Sequence, residues 1–318
     1  MPGRPAGPPV LSRSTVDRDA GRRGDPEALR AAWEAAGRLL RLRVRRGVGL
    51  AAPATPDGGG LDLPPTGGLP FDPQAYYLGR DAEAFYFAVV ETGPAAAEAA
   101  LTEPHVDLRS AGASLSARDA GLLTHAVALA EWRATHLHCP RCGAATDLVP
   151  GGHSARCPVD GRDQFPRTDP AVIMLVTTTD GERALLGRQA SWPLGRYSCL
   201  AGFVEAGESA EQAVVREVAE EAGIRGLRAV RPLATQPWPF PASLMLGYRA
   251  EADEAPPVPE DAELVDVSWY ARDAVRAGIA DGSMVLPPQV SIARMIIDGW
   301  LGEDGGEVPA DPGIHRFA

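Results

Sequence analysis

The chain has 318 residues, long enough for two domains, and its 45% hydrophobic and 23% charged residues are typical of a globular protein. Its net charge is −11, but residues 1–50 hold eleven arginines against five acids, so the remainder carries about −17. This acidic body argues against broad nonspecific nucleic-acid binding, although an RNA end held in a pocket stays compatible with it. No apolar run approaches the roughly 20 residues of a membrane helix, and no secretory signal is present. We therefore expect a cytoplasmic protein without a membrane span.

From the sequence of the N-terminal region we predict a disordered tail over residues 1–23 and an α+β domain over residues 24–135. The tail is rich in Pro, Gly and Arg. Asp25-Pro26 is typical of a helix start and predicts a helix that runs towards Leu40. Three further patterns follow in chain order: a Pro/Gly-rich loop over 51–70, a buried strand over 84–90 and a helix from Ser116 to His136.

The second domain is expected over residues 169–301, after a zinc-ribbon-like segment over 136–168. Its first strand is the continuous apolar run 171–176, and 184–188 predicts the hairpin partner after the turn at Asp180-Gly181. Residues 302–318 are rich in Gly, Pro and acids, which favours a flexible tail.

One motif, over residues 202–224, predicts a loop, a helix and a helix stop. Gly202 permits a tight turn. Ser209 with Gln212 three residues later forms a capping box, which predicts the helix start. Gly223 is the expected helix end.

On this helix Glu217, Glu220 and Glu221 are spaced i, i+3 and i+4, so their carboxylates share one face. Three like charges repel each other, and a hard cation such as Mg²⁺ or Mn²⁺ would offset the repulsion because it prefers oxygen ligands. The plainer alternative is an acidic, solvated helix face. A separate apolar stripe predicts how the helix packs on a core: Ala210, Val214 and Val218.

The motif resembles the defining box of the Nudix hydrolase family at nine positions across 23 residues: Gly202, Glu208, Arg216, Glu217, Val218, Glu220, Glu221, Gly223 and Ile224. The resemblance implies an α/β/α sandwich and hydrolysis of a nucleoside diphosphate linked to another moiety. It also implies that Glu217, Glu220 and Glu221 bind catalytic Mg²⁺ or Mn²⁺. Arg216 is implied to be structural and to pair with Glu208. Which glutamate acts as the general base stays open.

A second run, from Thr235 to Met245, places three prolines at alternating positions beside two aromatic residues. Proline fixes φ and blocks a regular helix or central strand. A stiff aromatic platform with a few polar groups suits a flat heterocycle. The alternative is a Pro-rich surface loop packed on a core. The candidate substrate contacts are Gln236, Pro237, Trp238, Pro239, Phe240, Pro241, Ala242 and Ser243.

This run resembles the SQPWPFPxS motif of the NADH pyrophosphatase (NAD-capped RNA hydrolase) subfamily, from which only Thr235 departs. The resemblance covers roughly residues 105–300. It implies a homodimer, activity on RNA with an NAD cap, and an additional metal-binding, catalytic glutamate at Glu263. Phe165 stands where the family usually places a Tyr. The further substrate contacts that the resemblance implies are Arg109, Phe165, Ala201 and Ala293.

The segment 136–168 is a degenerate zinc ribbon. Cys139 and Cys142 form one thiolate knuckle, whereas the second knuckle has Cys157 but carries Asp160 at the place of its fourth thiolate. Asp160, His153 or His138 would have to complete a tetrahedral site. Because a carboxylate is a poorer ligand for a soft-metal site, we expect well under one zinc per chain.

The favoured hypothesis is metal-dependent cleavage of the pyrophosphate of NADH or NAD⁺ into nicotinamide mononucleotide and AMP. One rival is a broader dinucleotide or ADP-sugar pyrophosphatase. Another is a nucleotide-sensing module that has lost catalysis, although such a module would be expected to lose its glutamates. A third is a nucleic-acid-binding protein, which the acidic body disfavours. The sequence does not rank NADH, NAD⁺ and NAD-capped RNA.

Overall fold

The structure is a computed structural model that describes residues 7–45, 49–259 and 263–309. It divides into two compact units. The N-terminal unit comprises Leu11–Thr168 and also Pro237–Ala242. The C-terminal unit comprises Met1–Val10, Asp169–Gln236 and Ser243–Ala318. The aromatic part of the Pro-rich run therefore belongs to the N-terminal unit, although it lies far along the sequence.

The N-terminal unit has a five-stranded sheet in the order β3-β4-β1-β2-β5, in which only the β1–β4 pair is parallel. Its core contains Leu29, Trp33, Tyr77 and Phe87. The elements are α1 (Pro26–Ala36), β1 (Gly37–Arg45), β2 (Gly49–Pro53), β3 (Tyr76–Arg80), β4 (Phe85–Glu91), α2 (Pro94–Thr102), β5 (His105–Asp107), α3 (Leu108–Ala111) and α4 (Ala117–Thr135).

The first helix is shorter than expected. Asp25 caps it as predicted, accepting hydrogen bonds from two backbone N–H groups. The prediction that it runs towards Leu40 was wrong, because the chain turns into strand β1 at Gly37. Leu40 and Leu42 are both fully buried in that strand, which pairs with β4. Burial of these leucines in the sheet thus outweighs their helical propensity here.

The N-terminal tail is ordered over most of its described part. Two short 3₁₀ turns cover Val10–Ser12 and Ala20–Arg22, and Asp17 pairs with Arg80 of β3. The approach is close because Gly79 has no side chain, and a Cβ there would lie 2.1 Å from the Asp17 carbonyl oxygen. The prediction of disorder was therefore wrong for these residues, while residues 1–6 lie outside the described chain.

The zinc-ribbon-like segment is part of the N-terminal unit. It holds a small antiparallel sheet of β6 (Asp147–Leu148), β7 (Ala155–Arg156) and β8 (Asp163–Gln164). Gly151 in the turn between β6 and β7 pairs with Tyr76 of β3. This pairing ties the segment to the larger sheet of the same unit.

The C-terminal unit has a six-stranded sheet in the order β12-β13-β9-β10-β14, with β11 also paired to β9. Most pairs are antiparallel, but β13 and β9 are parallel. The elements are β9 (Asp169–Thr178), β10 (Arg183–Gln189), β11 (Leu200–Phe203), α5 (Ala210–Ala222), β12 (Arg228–Trp238), β13 (Ser243–Ala252), β14 (Leu264–Ala271), α6 (Arg272–Asp281) and α7 (Ile292–Leu301).

Helices cover both faces of this sheet, which confirms the α/β/α sandwich. Strand β9 points Val172 and Met174 into a core shared with Val214 and Val218 of α5. Ile173, the intervening residue, packs instead in a core shared with α6 and α7. The continuous apolar run thus reflects a strand buried on both faces.

The C-terminal tail is partly anchored. Glu303, which we expected in a flexible tail, forms an ion pair with the buried Arg249, and Asp304 pairs with Arg276. That prediction was wrong for these two residues, and residues 310–318 lie outside the described chain. Within the described residues, no helix has the length and apolar character needed to cross a membrane.

Candidate active site

Helix α5 begins and ends where the sequence predicts. Ser209 Oγ accepts a hydrogen bond from the Gln212 N–H at 3.2 Å, and Gln212 Oε1 accepts one from the Ser209 N–H at 2.9 Å. Gly223 ends the helix with φ of 67°, in the left-handed region that favours glycine. The capping box and the glycine stop are both confirmed.

The glycine that opens the motif allows a close approach between a strand and a helix. Gly202 lies on β11, directly against the carboxylate of Glu217 on α5. A Cβ at this position would lie 2.0 Å from Glu217 Cδ, so any other residue would displace that carboxylate. The expected turn lies further on, at Gly207, where φ is 87°.

Arg216 lies at the centre of the carboxylate network. Its Nε and Nη2 each lie 2.9 Å from a carboxylate oxygen of Glu208, which forms the bidentate pair that the family resemblance implied. Its Nη1 also donates to Glu217 and Glu220, both at 2.8 Å. The sequence interpretation missed these two bonds, which offset the repulsion between the helix glutamates.

The exposed side of the network can bind a cation. Burial raises the pKa of Glu217, Arg216 opposes that shift, and the nearby charges of Glu220 and Glu263 add to it. The side chain of Glu220 is 42% exposed, so it combines a protein partner with access from solvent. Carboxylate oxygens at these positions form a hard donor set, which fits Mg²⁺ or Mn²⁺.

Glu221 differs from the other two helix glutamates. It is only 2% exposed, and its Oε2 accepts a hydrogen bond from the backbone N–H of Ala201 at 3.1 Å. The structure thus joins two residues that the sequence had placed in separate roles. Glu221 fixes the end of β11, and with it the backbone next to Gly202.

Glu263 lies just after residues 260–262, which are outside the described chain. It is exposed, and its Oε1 accepts a hydrogen bond from Gln189 Nε2 at 3.0 Å. Because its charge helps raise the pKa of Glu217, it belongs to the same electrostatic group as the helix carboxylates. Sequence reasoning missed Gln189, since nothing in the β10 pattern marks its side chain.

A separate aromatic cluster lies in the N-terminal unit. The rings of Trp238 and Phe240 meet edge to face, with centroids 5.0 Å apart. The guanidinium carbon of Arg109 lies 3.9 Å from the centroid of Phe240 and 5.6 Å from that of Trp238. Burial lowers the pKa of Arg109, and the charge of Asp107 opposes this shift. The structure thus brings together three of the candidate substrate contacts.

Other candidate contacts lie elsewhere. Gln236 is fully buried, and its Nε2 donates to the Val290 carbonyl at 3.1 Å, so its amide supports the C-terminal core. Ala293 is 1% exposed among the apolar side chains of α7. Both side chains point into the core, and a substrate contact at either residue stays a prediction. Ser243 begins β13, and Phe165 is 60% exposed in the N-terminal unit.

The ribbon residues do converge. Cys139, Cys142, Cys157 and Asp160 each offer a ligand atom within 4.8 Å of the others. Cys139 Sγ lies 3.5 Å from Asp160 Oδ2, and Cys142 Sγ lies 3.5 Å from Cys157 Sγ. A tetrahedral zinc with bonds of about 2.3 Å to sulfur and about 2.0 Å to oxygen would set these separations at about 3.5 and 3.8 Å. The donor set therefore fits zinc.

The two histidines that we considered as fourth ligands are not part of this cluster. His153 Nε2 lies 2.7 Å from the Tyr77 carbonyl oxygen, which accepts its proton. His138 forms a backbone bridge to Ala145. Backbone N–H groups of Arg141 and Cys142 lower the pKa of Cys139, which favours the thiolate.

Comparison with family models follows the same division of the chain. Residues 167–286 match the NUDIX domain, 134–165 match the NADH pyrophosphatase zinc ribbon domain, and 47–132 match the NADH pyrophosphatase-like rudimentary NUDIX domain. The fold and the glutamate helix thus define a Nudix-type hydrolase.

Known relatives extend over nearly the whole chain. It is 40% identical over 306 residues to the NAD-capped RNA hydrolase NudC of Mycobacterium bovis (strain BCG / Pasteur 1173P2), covering 92% of this chain and 94% of that protein. It is 39% identical, with equal coverage, to the protein of that name from Mycobacterium tuberculosis (strain ATCC 25618 / H37Rv). The human NAD-capped RNA hydrolase NUDT12 is 37% identical over 59% of this chain and 43% of that protein. The chain belongs to the Nudix hydrolase family, in its NADH pyrophosphatase branch.

Proposed function

We propose that this chain hydrolyses the pyrophosphate bond of NADH and NAD⁺ and removes NAD from the 5′ ends of RNA. Water adds across one P–O bond of the pyrophosphate, giving nicotinamide mononucleotide and AMP. On capped RNA the second product is an RNA with a 5′-monophosphate. The proposal is supported by the names of relatives that share about 40% of its residues over the same length.

The hydrolytic role is assigned to the carboxylates around α5. Glu217 and Glu220 on the helix, with Glu263 nearby, would hold Mg²⁺ or Mn²⁺. When bound, such an ion supplies positive charge against the substrate's phosphates and makes water more acidic. A neighbouring carboxylate accepts the proton of the attacking water. Glu221 and Gly202 keep strand and helix in place, as their contacts with Ala201 and Glu217 indicate.

The observation that carries the substrate class is the cluster of Arg109, Trp238 and Phe240. Among the described residues, Arg109 has no carboxylate within ion-pair distance, yet its guanidinium lies over the face of Phe240. A desolvated guanidinium favours an anion, and phosphate suits its planar donors. The half-buried rings of Trp238 and Phe240 beside it favour a planar base. Together they fit a dinucleotide, which offers both groups.

The intact network of Arg216 and the helix glutamates disfavours one alternative function, a nucleotide-sensing module that has lost catalysis. All three helix glutamates are present, and Arg216 binds two of them through one nitrogen. A module that only senses nucleotides has no need to keep these charges close together. The broader dinucleotide pyrophosphatase is separated from the proposal by substrate preference alone.

Zinc in the ribbon is the second part of the proposal. We expected well under one zinc per chain, but the convergence of Asp160 with three sulfur atoms favours a bound ion. Metal analysis of the purified chain should find close to one zinc. Asp160→Ala should lose most of it and lower the melting temperature of the N-terminal unit. Equal zinc content in the variant would show that Asp160 is not a ligand.

The assembly is proposed to be a homodimer that acts in the cytoplasm. Large exposed apolar side chains of the C-terminal unit, such as Leu194 and Phe203, which are 87% and 60% exposed, are consistent with a further buried surface. Light scattering during size-exclusion chromatography should give twice the mass of one chain. A mass of one chain at micromolar concentration would contradict this part.

The deciding experiment for the function is a product assay. NADH, NAD⁺, ADP-ribose and an NAD-capped RNA oligonucleotide are each incubated with Mg²⁺ or Mn²⁺, and products are separated by chromatography. We expect nicotinamide mononucleotide and AMP from the dinucleotides and a 5′-monophosphate from the RNA. Faster turnover of ADP-ribose than of both NAD forms would favour the broader pyrophosphatase instead.

A further inference from the structure

Most described arginines in the basic N-terminal segment have partners. Arg13 donates to the backbone carbonyls of Gly112, Ala113 and Leu115. Three further arginines have carboxylate partners: Arg22 with Asp19, Arg41 with Asp62, and Arg43 with Glu91 and Glu103. All four side chains are part of the fold, and the charges of these three are offset within it.

Arg18 and Arg23 are exceptions. Neither has a carboxylate within 4.0 Å among the described residues. Arg23 Nη2 donates to the Arg18 carbonyl at 3.1 Å, while its Nε is buried without any hydrogen-bond partner. The segment that carries them is fixed in place, because the Arg18 Cα would lie 3.1 Å from a Cβ at Gly79. Two positive charges are thus held together without a direct ion pair.

Two histidines lie beside these arginines. The rings of His125 and His153 have centroids 5.1 Å apart, and each donates a proton to a carbonyl of β3, Leu78 and Tyr77 respectively. Burial lowers the pKa of both, and the charges of Arg18 and Arg23 lower them further. Both rings are therefore neutral, and positive potential remains around them.

Two nearby acids, Asp17 and Asp19, offset part of this potential, since their charges raise the pKa of Arg23. Asp19 is bound by Arg22 and by the hydroxyl of Tyr77, and Asp17 lies 3.9 Å from Arg80. The direct ion pairs of both acids are with Arg22 and Arg80, so four arginines, including Arg18 and Arg23, face two carboxylates. The cluster keeps an excess of two positive charges, and it lies in a chain whose remainder is strongly acidic.

We propose that Arg18 and Arg23 form an anion site for backbone phosphates in the body of an NAD-capped RNA. The proposal rests on the proposed decapping function and adds a site apart from the cleaved pyrophosphate. Phosphate contacts supply most of the sequence-independent affinity for RNA. Because the acidic body repels a nucleic acid, a local basic cluster determines which surface an RNA strand can follow.

The test compares two variants on two substrates. The double variant Arg18→Gln/Arg23→Gln removes both charges, and Arg38→Gln is the matched control. Arg38 is an exposed arginine on β1 of the same basic segment and lies outside the cluster. Thermal melting first establishes that all three proteins are folded. Values of kcat/KM are then measured for NADH and for NAD-capped RNA across a range of salt concentrations.

We expect the double variant to lose about tenfold or more on capped RNA and to keep its activity on NADH within about twofold. Its salt dependence on RNA should become shallower by about 0.7 in the log–log slope for each phosphate that the variant no longer binds. Arg38→Gln should behave like the wild type. An equal loss on both substrates, or no loss on RNA, would overturn the proposal.

Two further measurements separate the remaining outcomes. If inorganic phosphate shifts the His153 ring signals in NMR spectra while capped RNA is unaffected by the double variant, the site takes free anions and the RNA proposal is wrong. If the chain cleaves neither substrate, the proposed function fails. The site is then judged by the anisotropy of a labelled 5′-monophosphate RNA: weaker binding by the double variant supports it, and equal binding overturns it.

Discussion

Helix α4, the longest described helix of the N-terminal unit, begins in the same way as the glutamate helix α5 of the C-terminal unit. The two helices differ in how much of their surface is buried. Both begin at a serine cap, Ser116 and Ser209. In α4, twelve of 19 residues are buried, so the helix is a core element on almost every side. In α5, one side packs on the sheet and the other carries glutamates. The difference lies in what the exposed face presents.

The acidic residues of the two helices also differ in whether their carboxylates are buried or open to solvent. Asp119 of α4 is 3% exposed and accepts hydrogen bonds from the Leu61 N–H and from Arg118. Its carboxylate is fully used by the fold. Glu220 of α5 is bound by Arg216 and remains open to solvent. A unit that matches a rudimentary Nudix model thus keeps a capped helix without a carboxylate face, and chemistry is expected only where that face is present.

The largest expected effect is on the carboxylate face. Glu220→Gln keeps the size of the side chain but removes a charged oxygen ligand. We expect kcat to fall by at least about a thousandfold, or roughly 4 kcal/mol, because the divalent ion loses a ligand. Folding should survive, since the substitution also removes repulsion from Glu217. Steady-state kinetics with Mg²⁺ or Mn²⁺ and a thermal melt provide the two measurements.

The matched control is Glu211→Gln on the same helix. Glu211 accepts a hydrogen bond from the Tyr248 hydroxyl at 2.9 Å and takes no part in the Arg216 network. It should keep kcat near that of the wild type. Similar activity in the two variants would contradict the assignment of the catalytic face.

The glutamate face of α5 could be predicted from the sequence because the signals that define the helix lie close together in the chain. The capping box, the glycine stop and the apolar stripe of α5 are encoded within a few residues, and each agrees with the structure. The Arg216 bonds to Glu217 and Glu220 were missed because a guanidinium can turn towards several neighbours. The strand β1 was missed because its parallel partner is far along the sequence, with Gly37 paired to Phe85 of β4. Long-range pairing is not visible in a local pattern.

The aromatic cluster should show the next largest effect. Phe240→Ala removes the ring under Arg109 and the edge contact with Trp238. Loss of one stacking surface costs about 1–3 kcal/mol, which corresponds to about a tenfold to hundredfold rise in KM for NADH. Leu101→Ala, at a 73% exposed position of the N-terminal unit, is the control and should leave KM unchanged. An unchanged KM in Phe240→Ala would show that the run is only a structural loop.

A stability effect without a catalytic one is expected in α4. Asp119→Ala leaves the buried Leu61 N–H without its acceptor, which should lower the free energy of unfolding of the N-terminal unit by about 1–3 kcal/mol. The Nudix carboxylates are untouched, so kcat per folded molecule should stay the same. Hydrogen exchange of α4 peptides measures the first quantity and initial rates measure the second. A fall in kcat larger than the loss of folded protein would show that the two helices are functionally coupled.

The smallest expected effect is the pH dependence of the N-terminal unit. Burial holds the pKa of His153 at about 4 and that of His125 well below its ordinary value, whereas both titrate near ~6.5 in an unfolded chain. Between these values the unfolded state binds more protons, so stability rises with pH and is lost as pH falls from about 6.5 towards 4. His153→Gln retains an amide donor for the Tyr77 carbonyl and removes one titrating group, so its exchange protection should fall less steeply over this window. His138→Gln, at an exposed position of the same unit, should keep the wild-type slope, and identical slopes in all three proteins would show that these imidazoles do not couple protonation to folding.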